Sequence, residues 1–306
     1  MNAWQNYGYN LDGKVTTASS TDVCTLQAGA QKSYQTDGKG GIDNSFGENI
    51  IPILQTLLST PTTTVNNAIQ GGSFTIFTYV TGFDDTAGNK TNATGLSGVL
   101  LAGAKYDPDG GTAPGWTTST VWPVLPDPGL ISGCMPYPQG CPAGTDPAAN
   151  AVIKFPAAFQ TGGTFVNGSP STVTLSLSIS GQSLSLQVAS AVISFNPAGP
   201  GSVTDGTIAG VLDTNNLITS LMNVAGSFSP TLCGGSAFQS IAMQIQATSD
   251  IVLNGSTVSN AAGSMCNAIS IGLGFDSKEI AAPTDIAAPL APKPSPCGGD
   301  AGTGGD

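Results

Sequence analysis

The 306-residue chain contains no histidine and no arginine. Without imidazole it has no Ser-His-Asp or Cys-His nucleophile pair, no histidine proton shuttle and no histidine metal ligand. Without guanidinium it lacks the bidentate clamp that phosphate and carboxylate groups favour. The two absences argue against most common hydrolase mechanisms and against phosphoryl transfer.

Charge of either sign is also scarce. Charged residues make up 9% of the chain, whereas about a quarter is usual in soluble proteins. Eight lysines against seventeen aspartates and two glutamates give a net charge of −11. The surface must therefore be largely uncharged and polar, and it would repel a phosphate backbone. We predict no nucleic-acid partner.

Long apolar segments are absent from the sequence. No run of about 18 or more apolar residues occurs, so we predict no transmembrane segment. The first ten residues, MNAWQNYGYN, have neither the basic nor the apolar region of a secretion signal. We therefore expect the chain as given to be a mature form from which a signal has been removed.

The six cysteines include no CxxC or comparable ligand spacing, which argues against a metal knuckle and favours disulfides. Because Cys134 and Cys141 enclose a short segment rich in proline and glycine, we expect a local bridge there. The predicted pairs are Cys134–Cys141, Cys233–Cys266 and Cys24–Cys297. Three bridges predict an oxidising compartment, namely extracellular, periplasmic or outer cell surface. The alternative is a cytosolic protein with buried free thiols.

The clearest structural pattern is a predicted antiparallel hairpin. Apolar residues alternate with Thr and Ser over residues 173–180, and after Gly181-Gln182 the alternation resumes over residues 184–188. This period of two is typical of strands with one buried face, joined by a tight glycine turn. The apolar phase then slips towards Phe195, which predicts a bulge or bend in a long strand.

Residues 45–48 (SFGE) have the form of a capping box and precede apolar residues at helical spacing. We predict a helix that ends before Pro61. A start at Ser45 places Pro52 deep inside the helix, whereas a start at Asn49 places it in the tolerant first turn. Both starts remain open, and Glu48 is assigned to the capping box.

Further helices are predicted from Asp213, as N-cap, to Gly226 and from Ser236 onwards. The sum of the elements is an α+β fold, mainly β, with an antiparallel β-sandwich-like sheet, two or three packed helices and disulfide bridges. We predict one domain over residues 1–280 and a Pro/Ala/Gly-rich tail over residues 281–306. Further strands are predicted over residues 73–83, 96–106, 207–212 and 268–275.

Aspartates and glycines cluster in residues 37–44 (DGKGGIDN). Hard cations such as calcium bind carboxylate and carbonyl oxygens on such turns, although the EF-hand register is not met. One interpretation is a structural calcium ion held by Asp37, Asp43 and Asn44, with Asp84 and Asp85 as another candidate pair. The other is that these residues make turns through local side-chain hydrogen bonds.

An irregular segment over residues 107–150 contains nine prolines and is too long for a plain connection. It carries three aromatic residues, Trp116, Trp122 and Tyr137. These could form a stacking platform for a glycan or anchor a protein interface. The alternative is that they attach the segment to the body of the domain.

Several short motifs together resemble a group of uncharacterised exported bacterial lipoproteins. The resemblance implies export to the cell envelope, and it implies no catalytic residue because no activity accompanies it. The motifs lie at residues 9–14 (YNLDGK), 37–38 (DG), 41–47 (GIDNSFG), 206–210 (GTIAG) and 269–276 (ISIGLGFD).

Three functions remain as hypotheses. The first is a non-enzymatic secreted or cell-surface protein that binds a cell-envelope, glycan or protein partner or has a structural role. The second is a glycosidase-like hydrolase that uses a pair of aspartates. The third is a self-assembling surface or filament subunit, and hence a homo-oligomer.

Overall fold

A computed structural model describes residues 2–57, 60–107, 113–169, 171–179, 182–233, 235–291, 293 and 296–297. Within these residues the fold is α+β and mainly β, as predicted, with an eight-stranded antiparallel sheet and four α-helices. The strands are β1 (Thr75–Thr81), β2 (Ala93–Gly103), β3 (Ile153–Thr161), β4 (Thr164–Val166), β5 (Ser171–Ile179), β6 (Gln182–Gly199), β7 (Ser202–Asp213), β8 (Val252–Asn254), β9 (Thr257–Ser259) and β10 (Ala268–Lys278).

The large sheet has the order β1-β2-β3-β4-β6-β7-β10, and β5 pairs with β6 beside this path. β5 also contacts β2 and β3, so the sheet curls around the core. Strands β8 and β9 form a separate hairpin. The largest fully buried side chains come from strands of this sheet, from residues 122–131 and from Ile50. A single curled sheet therefore encloses most of the apolar side chains.

The predicted hairpin is confirmed as β5 and β6, with Val173 opposite Val188 and Leu175 opposite Leu186. These four side chains are buried, as the period of two requires. The phase slip is also confirmed. The register of β6 against β7 shifts after Ala189, where Ser190 adopts a φ of 50°. The bulge lets the apolar face of β6 change phase without leaving the core.

The first helical segment begins with a π-helical turn (Phe46–Ile50) and continues as α1 (Ile51–Leu57). The capping box is wrong. Ser45 donates its backbone N–H to Ser270 Oγ, and Gly47 N–H is accepted by Asn44 Oδ1 at 2.9 Å. The Glu48 side chain is therefore free of a capping role. Pro52 lies just after the wide turn, which tolerates the missing N–H.

Three more helices follow in the chain. α2 (Pro61–Gln70) was not predicted, whereas α3 (Thr214–Phe228) and α4 (Ser236–Ala247) were. Asp213 is the N-cap of α3, as predicted, and its Oδ1 accepts the Asn216 N–H at 2.9 Å. In the part of the chain that the structure describes, no helix is long and apolar enough to cross a membrane.

All six cysteines form disulfides, but two predicted pairs are wrong. The observed pairs are Cys24–Cys266, Cys134–Cys141 and Cys233–Cys297. Cys266 N–H bonds the Thr25 carbonyl at 2.9 Å, so the start of β10 lies beside Cys24. The prediction paired Cys233 with Cys266 because they are close in sequence. However, α4, β8 and β9 lie between these two cysteines, and Cys266 bonds Cys24 instead. Three disulfides indicate a protein that folds outside the reducing cytosol.

Gly226 was predicted to end α3, and this is also wrong because the helix continues to Phe228. A Cβ atom at Gly226 would lie 2.5 Å from the Cys233 sulfur and 2.7 Å from the Cys297 sulfur. Glycine is therefore required here to admit the disulfide, not to terminate the helix.

The described part of the predicted tail lies against the domain. Val124 donates its N–H to the Asp285 carbonyl at 2.8 Å, and Ala287 N–H bonds the Val124 carbonyl at 2.9 Å. Cys297 is then tied to Cys233. Residue 280 thus does not mark the end of packed structure.

The long-range disulfide should stabilise the fold more than the local one. Cys24 and Cys266 are 242 residues apart in sequence, and Cys134 and Cys141 are 7 apart. Because crosslinks restrict the unfolded chain more when they close longer loops, we expect Cys24→Ala with Cys266→Ala to cost about 2–5 kcal/mol of unfolding free energy. Cys134→Ala with Cys141→Ala should cost less. Urea denaturation measures both, and an equal or larger loss for the local pair would contradict the argument.

Candidate functional site

Two aspartates predicted as calcium ligands hold the N-terminal residues against the domain. Asp43 accepts the Leu11 N–H at Oδ2 at 2.6 Å, and Asp37 Oδ2 accepts the Thr16 N–H. The backbone of residues 37–43 bonds the same segment, since Asp37 N–H reaches the Thr16 carbonyl at 3.0 Å. The two stretches approach closely at Gly41, where a Cβ atom would lie 2.6 Å from the Lys14 carbonyl.

Three other acidic side chains join this pair. Asp12 repels the charges on Asp37 and Asp43, and Asp250 repels the charge on Asp43. Asp37 in turn repels the charges on Glu48 and Asp250. Asp12 Oδ2 and Glu48 Oε2 are buried and have no hydrogen-bond partner. We call these five residues, Asp12, Asp37, Asp43, Glu48 and Asp250, the carboxyl cluster.

Among the ion pairs of the described residues, none joins a lysine to a member of the carboxyl cluster. Lys14, two residues from Asp12 in sequence, directs its Nζ to Asp22 Oδ2 at 2.9 Å and to the Asn260 carbonyl at 3.1 Å. Lys39 Nζ donates to Asn6 Oδ1 at 2.8 Å. Without bound protons or cations, the cluster would therefore hold like charges close together, with Asp43 and Asp250 buried and the other three half-buried.

Burial raises the pKa of Asp43 to about 9, with added repulsion from Asp12, Asp250 and Asp37. Burial also raises the pKa of Asp37 to about 6, although the Thr16 N–H and the Asp43 carboxyl both bond it. Asp43 is only 4% exposed. Repulsion between the two carboxyls disfavours a second negative charge beside the first, so the raised pKa of Asp43 favours its protonated form near neutral pH.

The two outer members of the cluster are shifted in the same direction. Burial raises the pKa of Glu48 to about 7, with repulsion from Asp37 and despite a bond from Asn49. Burial raises the pKa of Asp250 to about 7 even though Ser270 donates two hydrogen bonds to it, from N–H at 2.9 Å and from Oγ at 2.6 Å. Burial thus raises the pKa of Asp37, Asp43, Glu48 and Asp250 alike.

Asn44, predicted as a calcium ligand, has a different role. Its Nδ2 donates to the carbonyls of Tyr7 at 2.9 Å and Gly272 at 3.0 Å. Its Oδ1 accepts the N–H groups of Gly47 and Gly272, each at 2.9 Å. The amide is saturated and closes the outer edge of β10, so assigning Asn44 to a metal is wrong.

The other candidate calcium pair is also engaged. A hydrogen bond from Thr91 Oγ1 lowers the pKa of Asp84 to about 2, and Asp85 Oδ2 accepts the Gly201 N–H at 3.3 Å. Across the described residues, no group of three or more acidic, cysteine or histidine side chains is positioned to hold a metal ion. A calcium ion at Asp37 and Asp43 stays a prediction.

Of the three predicted binding aromatics, only Tyr137 is well exposed. Trp122 is 1% exposed, donates Nε1–H to the Ala104 carbonyl at 2.6 Å and packs in the core, so it is wrong as a binding residue. Trp116 is half-buried, with its ring 5.2 Å from that of Trp122. The two tryptophans attach residues 113–125 to the body of the domain, as the alternative interpretation stated.

Tyr137 lies in a short crosslinked hairpin, residues 134–141, which we call the stapled loop. The Cys134–Cys141 disulfide closes its base, and Met135 N–H bonds the Gly140 carbonyl at 2.8 Å. Met135 is 56% exposed and Tyr137 50% exposed. Gly140 packs so closely on Pro289 that a Cβ there would lie 2.9 Å from that ring. The loop is thus closed by a crosslink and packed on Pro289, and it exposes two large apolar side chains.

The surface hollows lined by described residues include two that lie elsewhere on the molecule. One lies between β6 and the start of α3 and includes Asp213 and Asn216. The other lies on the outer face of β1–β3, includes Tyr79, Val99 and Pro156, and has no carboxylate in its lining. Neither hollow contains a pair of acidic side chains.

Comparison with protein families, with curated proteins and with solved structures finds no match to this chain. The site must therefore be interpreted from its own geometry.

The cluster makes stability depend on pH. Folded Asp43 has its pKa raised from 3.8 to about 9, so the folded state holds more protons than the unfolded state across that window. The contribution of Asp43 to the unfolding free energy should therefore be fully present near pH 4, and the unfolding free energy should fall as pH rises towards 9. Urea denaturation at several pH values measures this slope. A flat or rising profile would contradict it.

Proposed function

We propose that this chain is a secreted, periplasmic or outer-surface protein that acts by binding a partner and not by catalysis. The three disulfides support an address outside the cytosol. The resemblance to exported lipoproteins supports the same address. The missing imidazole and guanidinium groups support the non-enzymatic role. The observation that carries the proposal is the rigid, exposed and uncharged stapled loop.

The stapled loop has the properties of a protein-contact element. Residues 128–145 contain no charged side chain, so a partner meets no repulsion there in a chain of net charge −11. Methionine and tyrosine are enriched in the centres of protein interfaces. The disulfide, the hairpin bond and two prolines already fix the backbone, so little conformational entropy is lost on binding. A protein with a concave apolar cleft is the partner that fits this shape.

The buried aspartate pair does not favour the hydrolase alternative. A glycosidase requires two carboxyl groups held about 5 Å or more apart across a sugar. Asp37 and Asp43 repel each other's charge, and Asp43 is 4% exposed. A sugar cannot reach a carboxyl group that is buried to this degree.

Self-assembly is a second candidate, favoured by the carboxylate-free hollow at Tyr79, Val99 and Pro156. The stapled loop of one copy and this hollow of another, whose lining also includes Lys154, would form a head-to-tail contact that leaves a free loop and a free hollow at the ends. This arrangement predicts an open assembly. Sedimentation over a range of concentrations distinguishes it from a monomer that binds a different protein.

Removing the two exposed apolar side chains of the stapled loop tests the proposal. We expect Met135→Ser with Tyr137→Ser to weaken binding to envelope preparations of the source cell by about tenfold or more, since central contacts dominate interface energy. Unfolding temperature should be unchanged because both side chains are exposed. Met243→Ser is the matched control, since Met243 is 62% exposed on α4.

Three results would count against this function. One is undiminished envelope binding by the double loop variant. Another is a hydrolytic turnover that disappears in Asp37→Asn while the fold is retained. The third is the recovery of reduced thiols when the native protein is alkylated before extraction. This result would argue against an oxidising compartment.

A further inference from the structure

The path of the large sheet ends at β1 on one side and at β10 on the other. The β10 end is closed by side chains, because Asp250 accepts the Ser270 N–H and Asn44 accepts the Gly272 N–H. Among the described strands and helices, β1 pairs with β2 alone, and no other element packs along it. The sheet therefore has a closed end at β10 and an open end at β1.

Three residues of β1 direct their backbone groups towards this open edge. Leu125 N–H bonds the Ala102 carbonyl at 2.8 Å, so Ala102 faces away from β1. Its partner across the ladder is Ile76, which therefore faces away from β2, and the alternation along a strand gives Thr78 and Val80 the same direction. The outward N–H and C=O groups of these three have no partner among the described residues. Such a row is a template for another strand.

The sequence of β1 is complementary to itself when two copies run antiparallel. A twofold axis at Thr78 places a hydroxyl residue opposite a hydroxyl residue, a β-branched aliphatic residue opposite another, and an aromatic ring opposite another ring. The pairs are Thr75 with Thr81, Ile76 with Val80, Phe77 with Tyr79, and Thr78 with Thr78 of the second copy. Aromatic, β-branched and threonine pairs of this kind stabilise antiparallel sheets.

The same axis also matches the hydrogen-bonding groups. Residues that lie opposite each other about Thr78 are either both even-numbered or both odd-numbered. The outward N–H and C=O groups of one copy therefore face the outward groups of the other, as in a hydrogen-bonded antiparallel ladder. An axis between two residues would instead set outward groups against inward ones. The register that pairs like side chains is thus also one that satisfies the backbone.

Two copies of this acidic chain can meet at β1 without repulsion between charged side chains at the contact. Residues 49–83 contain no charged side chain, although the chain carries a net charge of −11. The neighbouring strand β2 has none either. Lysine and proline, which commonly protect exposed edge strands from pairing, are also missing from β1. A second copy is therefore the occupant that this edge fits.

We propose that β1 is a dimerisation edge, at which two copies of the chain pair their β1 strands antiparallel about Thr78. The two large sheets then form one continuous sheet across the dimer. Because both copies use the same edge, the contact is isologous and stops at two. It does not involve the stapled loop, so it is independent of the partner binding proposed above and of the open head-to-tail assembly.

Sedimentation of the intact, oxidised protein over a range of concentrations tests the proposal. We expect the wild type to approach twice the monomer mass, and no more, as concentration rises. Thr78→Pro removes the central outward N–H of each copy but none of the bonds to β2. Since two hydrogen bonds are lost per dimer, we expect dimerisation to weaken by about tenfold or more. Thr78→Val is the matched control, because it keeps the N–H and should dimerise as the wild type does.

A cysteine at the axis reports the register directly. With Thr78→Cys, the two new thiols lie opposite each other on strands whose Cα atoms are about 5.5 Å apart, which suits a disulfide. The native cysteines are already paired. Thr81→Cys is the control, because position 81 lies opposite Thr75 and its two copies are about 20 Å apart. We expect mild oxidation to crosslink Thr78→Cys several-fold more than Thr81→Cys.

Three outcomes would overturn the proposal. One is a wild type that stays monomeric at every concentration, which would leave the edge to a segment of another protein. Another is Thr78→Pro dimerising as tightly as Thr78→Val, and the third is equal crosslinking of Thr78→Cys and Thr81→Cys. If Thr78→Pro does not fold, the wild-type series and the crosslinking decide the matter. Met135→Ser with Tyr137→Ser should still dimerise, so loss of envelope binding there leaves this test unaffected.

Discussion

Two backbone N–H groups on the outer edge of β10 find their partners in side chains, and much of the structure depends on them. Ser270 donates to Asp250, and Gly272 donates to Asn44. The edge of the sheet is thereby closed without another strand, which protects it from pairing with a second chain. The same bonds bring residues 37–50 beside the connection that precedes β10. The carboxyl cluster forms because these segments must meet there.

The scarcity of basic residues gives this cluster its chemistry. In a protein with ordinary lysine and arginine content, buried carboxylates are usually paired with a cation. Here the available partners are backbone N–H groups, hydroxyls and one another, so burial raises the pKa of Asp37, Asp43, Glu48 and Asp250. Electrostatic repulsion that a cation would neutralise in other proteins therefore makes the stability of this fold depend on pH. A compositional bias that is visible in the sequence thus has a local physical effect.

The parts of the fold that sequence pattern predicted are those governed by neighbouring residues. The alternation of β5 and β6, the bulge near Ser190 and the Asp213 cap all follow from local periodicity or one side chain. The disulfide pairs did not follow, because the partner of Cys24 is decided by how β10 docks. The capping box failed for the same reason, since Ser270 takes the Ser45 N–H from across the fold.

The candidate site shows the same division. Asp37 and Asp43 were found because they flank one glycine-rich turn, whereas Asp12 and Asp250 reach the cluster from distant parts of the chain. The Asn-Leu-Asp-Gly turn at residues 10–13 was a signal for Asp12, but no local pattern marks Asp250. Among the aromatics, the sequence could not separate Trp122 from Tyr137, because burial depends on where the proline-rich segment docks.

The arrangement of the crosslinks also has a mechanical consequence. A pull applied between the two ends of the domain enters at Cys24 and passes directly through the sulfur bridge to Cys266. The chain between Cys24 and Cys233, which contains strands β1 to β7, is thereby removed from the load path. Strand β10 follows Cys266 and stays in that path, so tension reaches the sheet first at its β10 edge.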